Sequence, residues 1–240
     1  MLALNLSKLR SYAKPLRYHL LQAQQTARLV CAVGLLIGHF LPWAQHKAAA
    51  LTLHGHDLAI FTNFTPGAGI FLNEWFYCAV WVSGVLWSLS FAKRRSIFLS
   101  IIGLWFAFVI TSLGFPTYPE ILNAYSAPAV GGVDYRLQFY ATVIFMGLNI
   151  GIFFIARKFD GQGWFNRWLS VGLIVLWLLS IVPIVGFIAV KPFIQTLYND
   201  IVTFGSGWWL SLSISLFGLM LESVFIRINA FDNFEFRTTL

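Results

Sequence analysis

The sequence predicts an all-α integral membrane protein: a bundle of six transmembrane helices in three hairpins, N-in and C-in, with folded extracytoplasmic loops. Three observations predict it. Of 240 residues, 58% are hydrophobic and only 10% charged, whereas an average soluble domain is about half apolar and about a quarter charged. The apolar residues gather in runs of roughly 20, the length that crosses the hydrocarbon core as a helix. The Lys and Arg residues fall on alternate connections between those runs, as they do when short loops sort by charge. The same composition excludes a disordered chain, a disulfide-stapled secreted module and a nucleic-acid binder.

Residues 1–27 read as a cytoplasmic N-terminal tail. Leu6, Leu9, Ala13, Leu16, Leu20 and Ala23 recur at helical spacing, with Lys8, Arg10, Lys14 and Arg17 off that stripe. This pattern suits an amphipathic helix lying on a leaflet, broken or restarted at Pro15. The basic stretch before the first apolar run is too long, and the run too poorly followed by a cleavage pattern, for a secretory signal, so the first run is expected to stay as a helix. The transmembrane domain, 28–226, contains spans at 28–44, 70–92, 96–114, 137–156, 168–190 and 207–226, and residues 227–240 form the second cytoplasmic tail. Within hydrocarbon each span must satisfy its own backbone hydrogen bonds, which makes all six helices.

Orientation follows from charge. Lys8, Arg10, Lys14, Arg17, Arg28, Lys93, Arg94, Arg95, Arg157, Lys158, Arg167, Arg227 and Arg237 share one side in this threading, leaving only Lys47, Arg136 and Lys191 of the 16 basic residues on the other. The larger set belongs in the cytoplasm, so the net charge of +7 reflects topology and contact with membrane lipid, not an acidic ligand. Trp43, Trp75, Tyr77, Tyr135, Tyr140, Trp208 and Trp209 then mark the outer interface, and Trp164 and Trp168 the inner one.

Small residues mark where helices pack. Gly34 and Gly38 in the first span and Gly147 and Gly151 in the fourth form GxxxG pairs, which let two backbones approach closely. The sixth span carries a longer stripe, Gly207, Ser211, Ser215, Gly218 and Glu222, spaced four, four, three and four apart and therefore on one face. Gly103, Ala107, Thr111 and Gly114 in the third span offer a partner stripe. Glu222 is the clear ionisable group within a span, with Arg227 as the partner suggested by sequence proximity. Asn149 reads as an interhelical hydrogen-bonding group. Pro183 removes a backbone donor inside the fifth span and predicts a kink.

The outer loops, 45–69, 115–136 and 191–206, are long and weakly charged. Their apolar side chains, among them Leu51, Leu53, Leu58, Ile60, Phe61, Phe64, Tyr118, Ile121, Leu122 and Tyr125, suffice for a cap over the helix ends. The first loop holds the main concentration of ligand-type groups. His54, His56 and Asp57, with His39 and Glu74 brought in by folding, supply imidazole and carboxylate donors for a metal such as zinc or copper. Against this, no HExxH or CxxC pattern accompanies them. Cys31 and Cys78 stand alone as small apolar fillers. No phosphate-binding glycine loop or nucleophile elbow occurs, and no pattern requires a cofactor.

These features predict a non-enzymatic multi-pass subunit of a larger assembly in the cytoplasmic membrane, contacting other membrane subunits or its own copies through small-residue faces and apolar loops. The alternative is a small-molecule transporter or substrate-binding subunit. In number of spans and orientation the chain resembles the substrate-capturing membrane subunits of energy-coupled vitamin transporters. That resemblance implies a site under the outer loops, near Trp43, His54, Asp57, Glu74 and Tyr77. A metal-dependent membrane enzyme using the histidine cluster is the third reading.

Overall fold

The computed structural model describes residues 22–45, 52–62, 73–94, 96–116, 135–159, 162–199 and 201–238. The amphipathic reading of residues 1–21, residues 70–72 at the start of the second span, and most of the loop at 115–136 lie outside the described residues. The chain runs through helix α1 (22–40), strand β1 (Pro42–Gln45), strand β2 (Thr52–His54) and helix α2 (Gly55–Thr62). A 3₁₀ turn, Asn73–Tyr77, leads into α3 (Cys78–Ala92), followed by α4 (Ile97–Ser112), α5 (Arg136–Lys158) and α6 (Gly163–Tyr198). Strand β3 (Thr203–Phe204) and helix α7 (Ser206–Thr238) complete it. The protein is thus mostly helical. Glu74–Ala92, Arg136–Lys158, Trp164–Tyr198 and Ser206–Arg227 are long and apolar enough to cross a membrane, and Ile97–Ser112 is apolar but shorter.

The distribution of polarity is the inverse of that in a soluble bundle. On α4 the residues turned away from the protein are Ile97, Phe98, Leu99, Ile101, Trp105, Phe106 and Val109, while Ser100, Gly103, Ala107 and Thr111 are buried. On α5, Gln138, Thr142 and Asn149 are buried and Ile144, Ile150 and Phe154 exposed. On α1, Gln24, Arg28 and His39 face inward and Val30, Ile37 and Phe40 outward. Water rewards the opposite arrangement; hydrocarbon, which offers polar groups no partner, rewards this one.

Helix α3 is the central post, with 13 named positions from Cys78 to Ala92 buried. It packs against α4, α5 and α6. Its serines are satisfied within the bundle: Ser83 and Ser90 donate to the carbonyls of Ala79 and Leu86 (2.7 Å each), and Ser88 donates to the Asn149 carbonyl on α5 (2.9 Å). Asn149 in turn donates from Nδ2 to Thr111 Oγ1 on α4 (2.8 Å), joining three helices through groups hydrocarbon would not solvate. Gly84 stands against Thr111 and Gly114 against Trp81, each where a Cβ would collide.

The second packing unit is the α6–α7 pair with α1 laid along it. Gly218 accommodates the indole of Trp177, and Ser180 Oγ donates to Ser215 Oγ at 2.8 Å. On α1, a Cβ at Gly34 would lie 2.9 Å from Ile214, and one at Gly38 would meet Ser211 Oγ at 2.5 Å. The backbones therefore meet at Gly38 and Gly207, where a Cβ on Gly207 would stand 2.6 Å from the Gly38 carbonyl. The fourth-span pair behaves differently: Gly147 and Gly151 have nothing within 4 Å of a Cβ position.

Two expected features differ. Helix α6 continues through both Pro183 and Pro192 to Asn199, whose left-handed backbone (φ 50°) ends it. At 36 residues it is about 54 Å long, so it passes well beyond the ~30 Å hydrocarbon core and takes up much of what reads as the loop 191–206. Glu222 does not pair with Arg227. Its carboxylate receives both Arg28 Nε (2.6 Å) and Arg28 Nη2 (2.7 Å) from α1.

One end of the bundle collects the basic turns. Lys93 donates to Asn166 Oδ1 (3.1 Å) and Arg157 to Ser100 Oγ (3.1 Å), tying the α3–α4 turn to the α5–α6 turn. Ser90 reaches the Gln25 carbonyl at the start of α1. The opposite end is covered by a small cap, and within it lies an element that sequence periodicity did not signal, an antiparallel sheet in the order β2-β1-β3. Trp43, Leu58, Phe76, Ile184, Phe187, Ile194, Val202 and Trp208 form its apolar core.

Candidate functional site

The cap gathers most of the ligand-type side chains, and its construction begins where α1 stops. Pro42 follows Leu41 and has no backbone N–H to offer the Gly38 carbonyl; the chain turns into β1, held by Trp43 Nε1, which donates to that carbonyl instead (2.7 Å). Strand β2 runs antiparallel to β1 and pairs His54 with Pro42. This register returns residue 54 to the end of α1, a few residues in space from His39 although 15 positions away in sequence. Gly55 permits the approach, since a Cβ there would sit 2.6 Å from His39 Nδ1 and 2.8 Å from the His39 carbonyl.

Helix α2 then begins with its own cap. Asp57 Oδ2 accepts the His54 backbone N–H (2.9 Å), the reach-back of a third-position carboxylate to the capping residue. The same oxygen lies 2.8 Å from His54 Nδ1, and Oδ1 lies 3.2 Å from His56 Nε2. Partial burial raises the Asp57 pKa, but the hydrogen bonds from the His54 amide and imidazole and the two histidine charges together outweigh it, leaving the carboxyl below its usual range. The His54 and His56 rings stack at 5.5 Å. His39, only 1% exposed, has its ring 6.3 Å from that of His56 and 5.7 Å from that of Tyr77, and its Nδ1 has no hydrogen-bond partner.

Of the five residues expected as metal donors, His54, His56 and Asp57 come together, each offering a ligand atom within 4.8 Å of the others. His39 forms the wall behind them. Glu74 belongs elsewhere. It lines an apolar cleft of ≈ 250 Å³ with Trp75, Cys78, Trp81, Leu137, Ala141, Phe145 and Leu179. The five residues expected around a small molecule are likewise dispersed: Trp43 is fully buried in the cap core against Phe76 and Phe187, and Tyr77 stands between His39 and Trp81. The cleft itself was not legible in the sequence, because its lining comes from three stretches of chain far apart in sequence.

Glu222 was legible as an ionisable group within a span, but its partner was not: the carboxylate pairs with Arg28, with Gln24 Nε2 3.5 Å away. Two signals existed: an unpaired carboxylate inside a span is too costly to stand, and Arg28 sits at the matching depth of the first span. Comparison with known proteins finds no matching family model, no matching curated protein and no matching solved structure.

Proposed function

We propose that the chain is a six-span, non-enzymatic subunit of a larger membrane assembly, with both termini in the cytoplasm and the cap outside. The reading of α1 and α4 as spans is supported by their outward-facing apolar rows and inward polar groups. The orientation is supported by the basic turns gathered at one end, the side on which short Lys- and Arg-rich loops stay. The observation that carries the subunit reading is the contrast between the two GxxxG pairs. Gly34–Gly38 is filled by α7, whereas Gly147–Gly151 lies open on a face lined by Ile144, Leu148, Ile150 and Phe154. A glycine pair costs helix stability and gives nothing to a lipid-facing surface, while it suits a helix from another subunit.

Native mass measured on protein extracted from its own membrane in mild detergent tests this. The wild-type chain is expected to run as an assembly well above 27.1 kDa, and Gly147→Leu with Gly151→Leu to run as the bare chain with its melting temperature unchanged. A wild-type protein that runs as the bare chain, or a double variant that keeps its partners, overturns the reading.

The cleft beside Glu74 favours a second reading, a subunit that binds a small amphiphile with an apolar body and a cationic or hydrogen-bonding head. A panel of such compounds would raise the melting temperature of the wild type, and Ala141→Phe, which fills the cleft, would abolish the rise. Absence of any rise in the wild type removes this reading.

A further inference from the structure

We propose that the cap carries a divalent-metal site of the zinc class, built by His54, His56 and Asp57. The trio offers two imidazoles and a carboxylate, with ligand atoms within 4.8 Å of one another. A tetrahedral ion about 2.0–2.1 Å from nitrogen holds its ligand atoms about 3.3 Å apart, and His54 Nδ1 and His56 Nε2 stand 2.8 Å and 3.2 Å from the two oxygens of Asp57, so rotation of the side chains brings one atom of each residue to that spacing. Capping of α2 accounts for the bond from the His54 amide to Asp57 but for neither imidazole. Both rings nevertheless converge on the one carboxylate.

An independent observation points the same way. His39 is 1% exposed, with Nδ1 left without a hydrogen-bond partner, directly behind Gly55 between the two histidines. A buried imidazole nitrogen without a partner is costly, and here it stands in the wall that backs the three-donor cluster, its ring 6.3 Å from that of His56. His54 and Asp57 side chains are 32% and 34% exposed, so the ion enters from the solvent side and leaves a coordination position open there. Two imidazoles and one carboxylate select a borderline ion over magnesium or calcium, which prefer all-oxygen sites. The ion would join β2 to the start of α2.

The experiment uses the full chain in mild detergent, stripped with chelator, loaded with zinc chloride or magnesium chloride and desalted. Elemental analysis is expected to show one zinc per chain and no magnesium. X-ray absorption of the zinc-loaded protein is expected to show at least two imidazoles with oxygen completing the shell. His54→Ala with His56→Ala should lose affinity by more than the roughly 10–100-fold that removal of a supporting partner costs, and the zinc-induced rise in melting temperature should vanish with it. Asp57→Asn, which keeps the shape of the cap, should weaken binding in the same direction. Failure of the wild type to retain zinc, a shell without paired imidazoles, or binding unchanged in the histidine double variant overturns the proposal. The absorption spectrum decides even where a variant does not fold.

Discussion

Glu222 and Arg28 show what a single residue contributes when the surroundings contain no water. The guanidinium presents two donors in the fork geometry that matches a carboxylate, and at 5% and 0% side-chain exposure neither group has an alternative partner in solvent. Removing one member leaves a buried charge uncompensated, which costs about 3–5 kcal/mol, while replacing both with apolar groups of similar size restores most of it. Thermal unfolding in detergent should therefore show a large loss for Arg28→Met, and a much smaller one for Arg28→Met with Glu222→Met. Losses that simply add would mean the pair is not the unit described here. Glycines obey the same logic through volume: Gly218→Leu drives a side chain into Trp177 and should lower the melting temperature sharply, whereas Gly147→Leu meets open space and should not.

Among the elements, α3 and α1 stand for the two ways of using a helix. Helix α3 is surrounded by protein, so its serines close their hydrogen bonds on its own carbonyls and on Asn149. Helix α1 is half exposed, and its inward row must serve three partners in succession: Glu222 at Arg28, Ile214 at Gly34 and the cap at His39. The cap element β2–α2 depends on one close approach, Gly55 against the His39 backbone and ring. Gly55→Ala should lift this element from α1; the expected readout is faster hydrogen exchange in 52–59, with exchange in α3 unchanged. Equal exchange in both proteins would show that the approach carries no constraint.

At the scale of the whole molecule, the arrangement separates a basic end from a capped end. Single reporter cysteines test the proposed direction, with native Cys31 and Cys78 silent because both are buried. A cysteine replacing Lys191, near the cap, should react in intact cells with a thiol reagent that does not cross membranes, and one replacing Lys158 should not. The reverse pattern would invert the topology. The long α6 fits this layout, since it is longer than the hydrocarbon core is thick and its later turns, with Val190 and Ile194, belong to the cap.

The amino-acid sequence by itself determined that this is a helical membrane protein, roughly where its apolar helices run, and which connections are basic. Those properties are local sums: hydropathy accumulates along about 20 consecutive residues, and charge sorts loop by loop. It also pointed to His54, His56 and Asp57 as neighbours, because they lie within one turn. What only the tertiary structure decided depends on distance between segments. Whether Gly34–Gly38 or Gly147–Gly151 is filled turns on where α7 lies, and the two pairs have the same spacing. Glu222 found Arg28 instead of Arg227, Glu74 turned to the cleft instead of the histidines, and β1 paired with β3 across more than 150 positions. Each outcome was set by a partner remote in sequence, since in an environment without water a polar group or a gap between helices is completed by whatever protein lies against it.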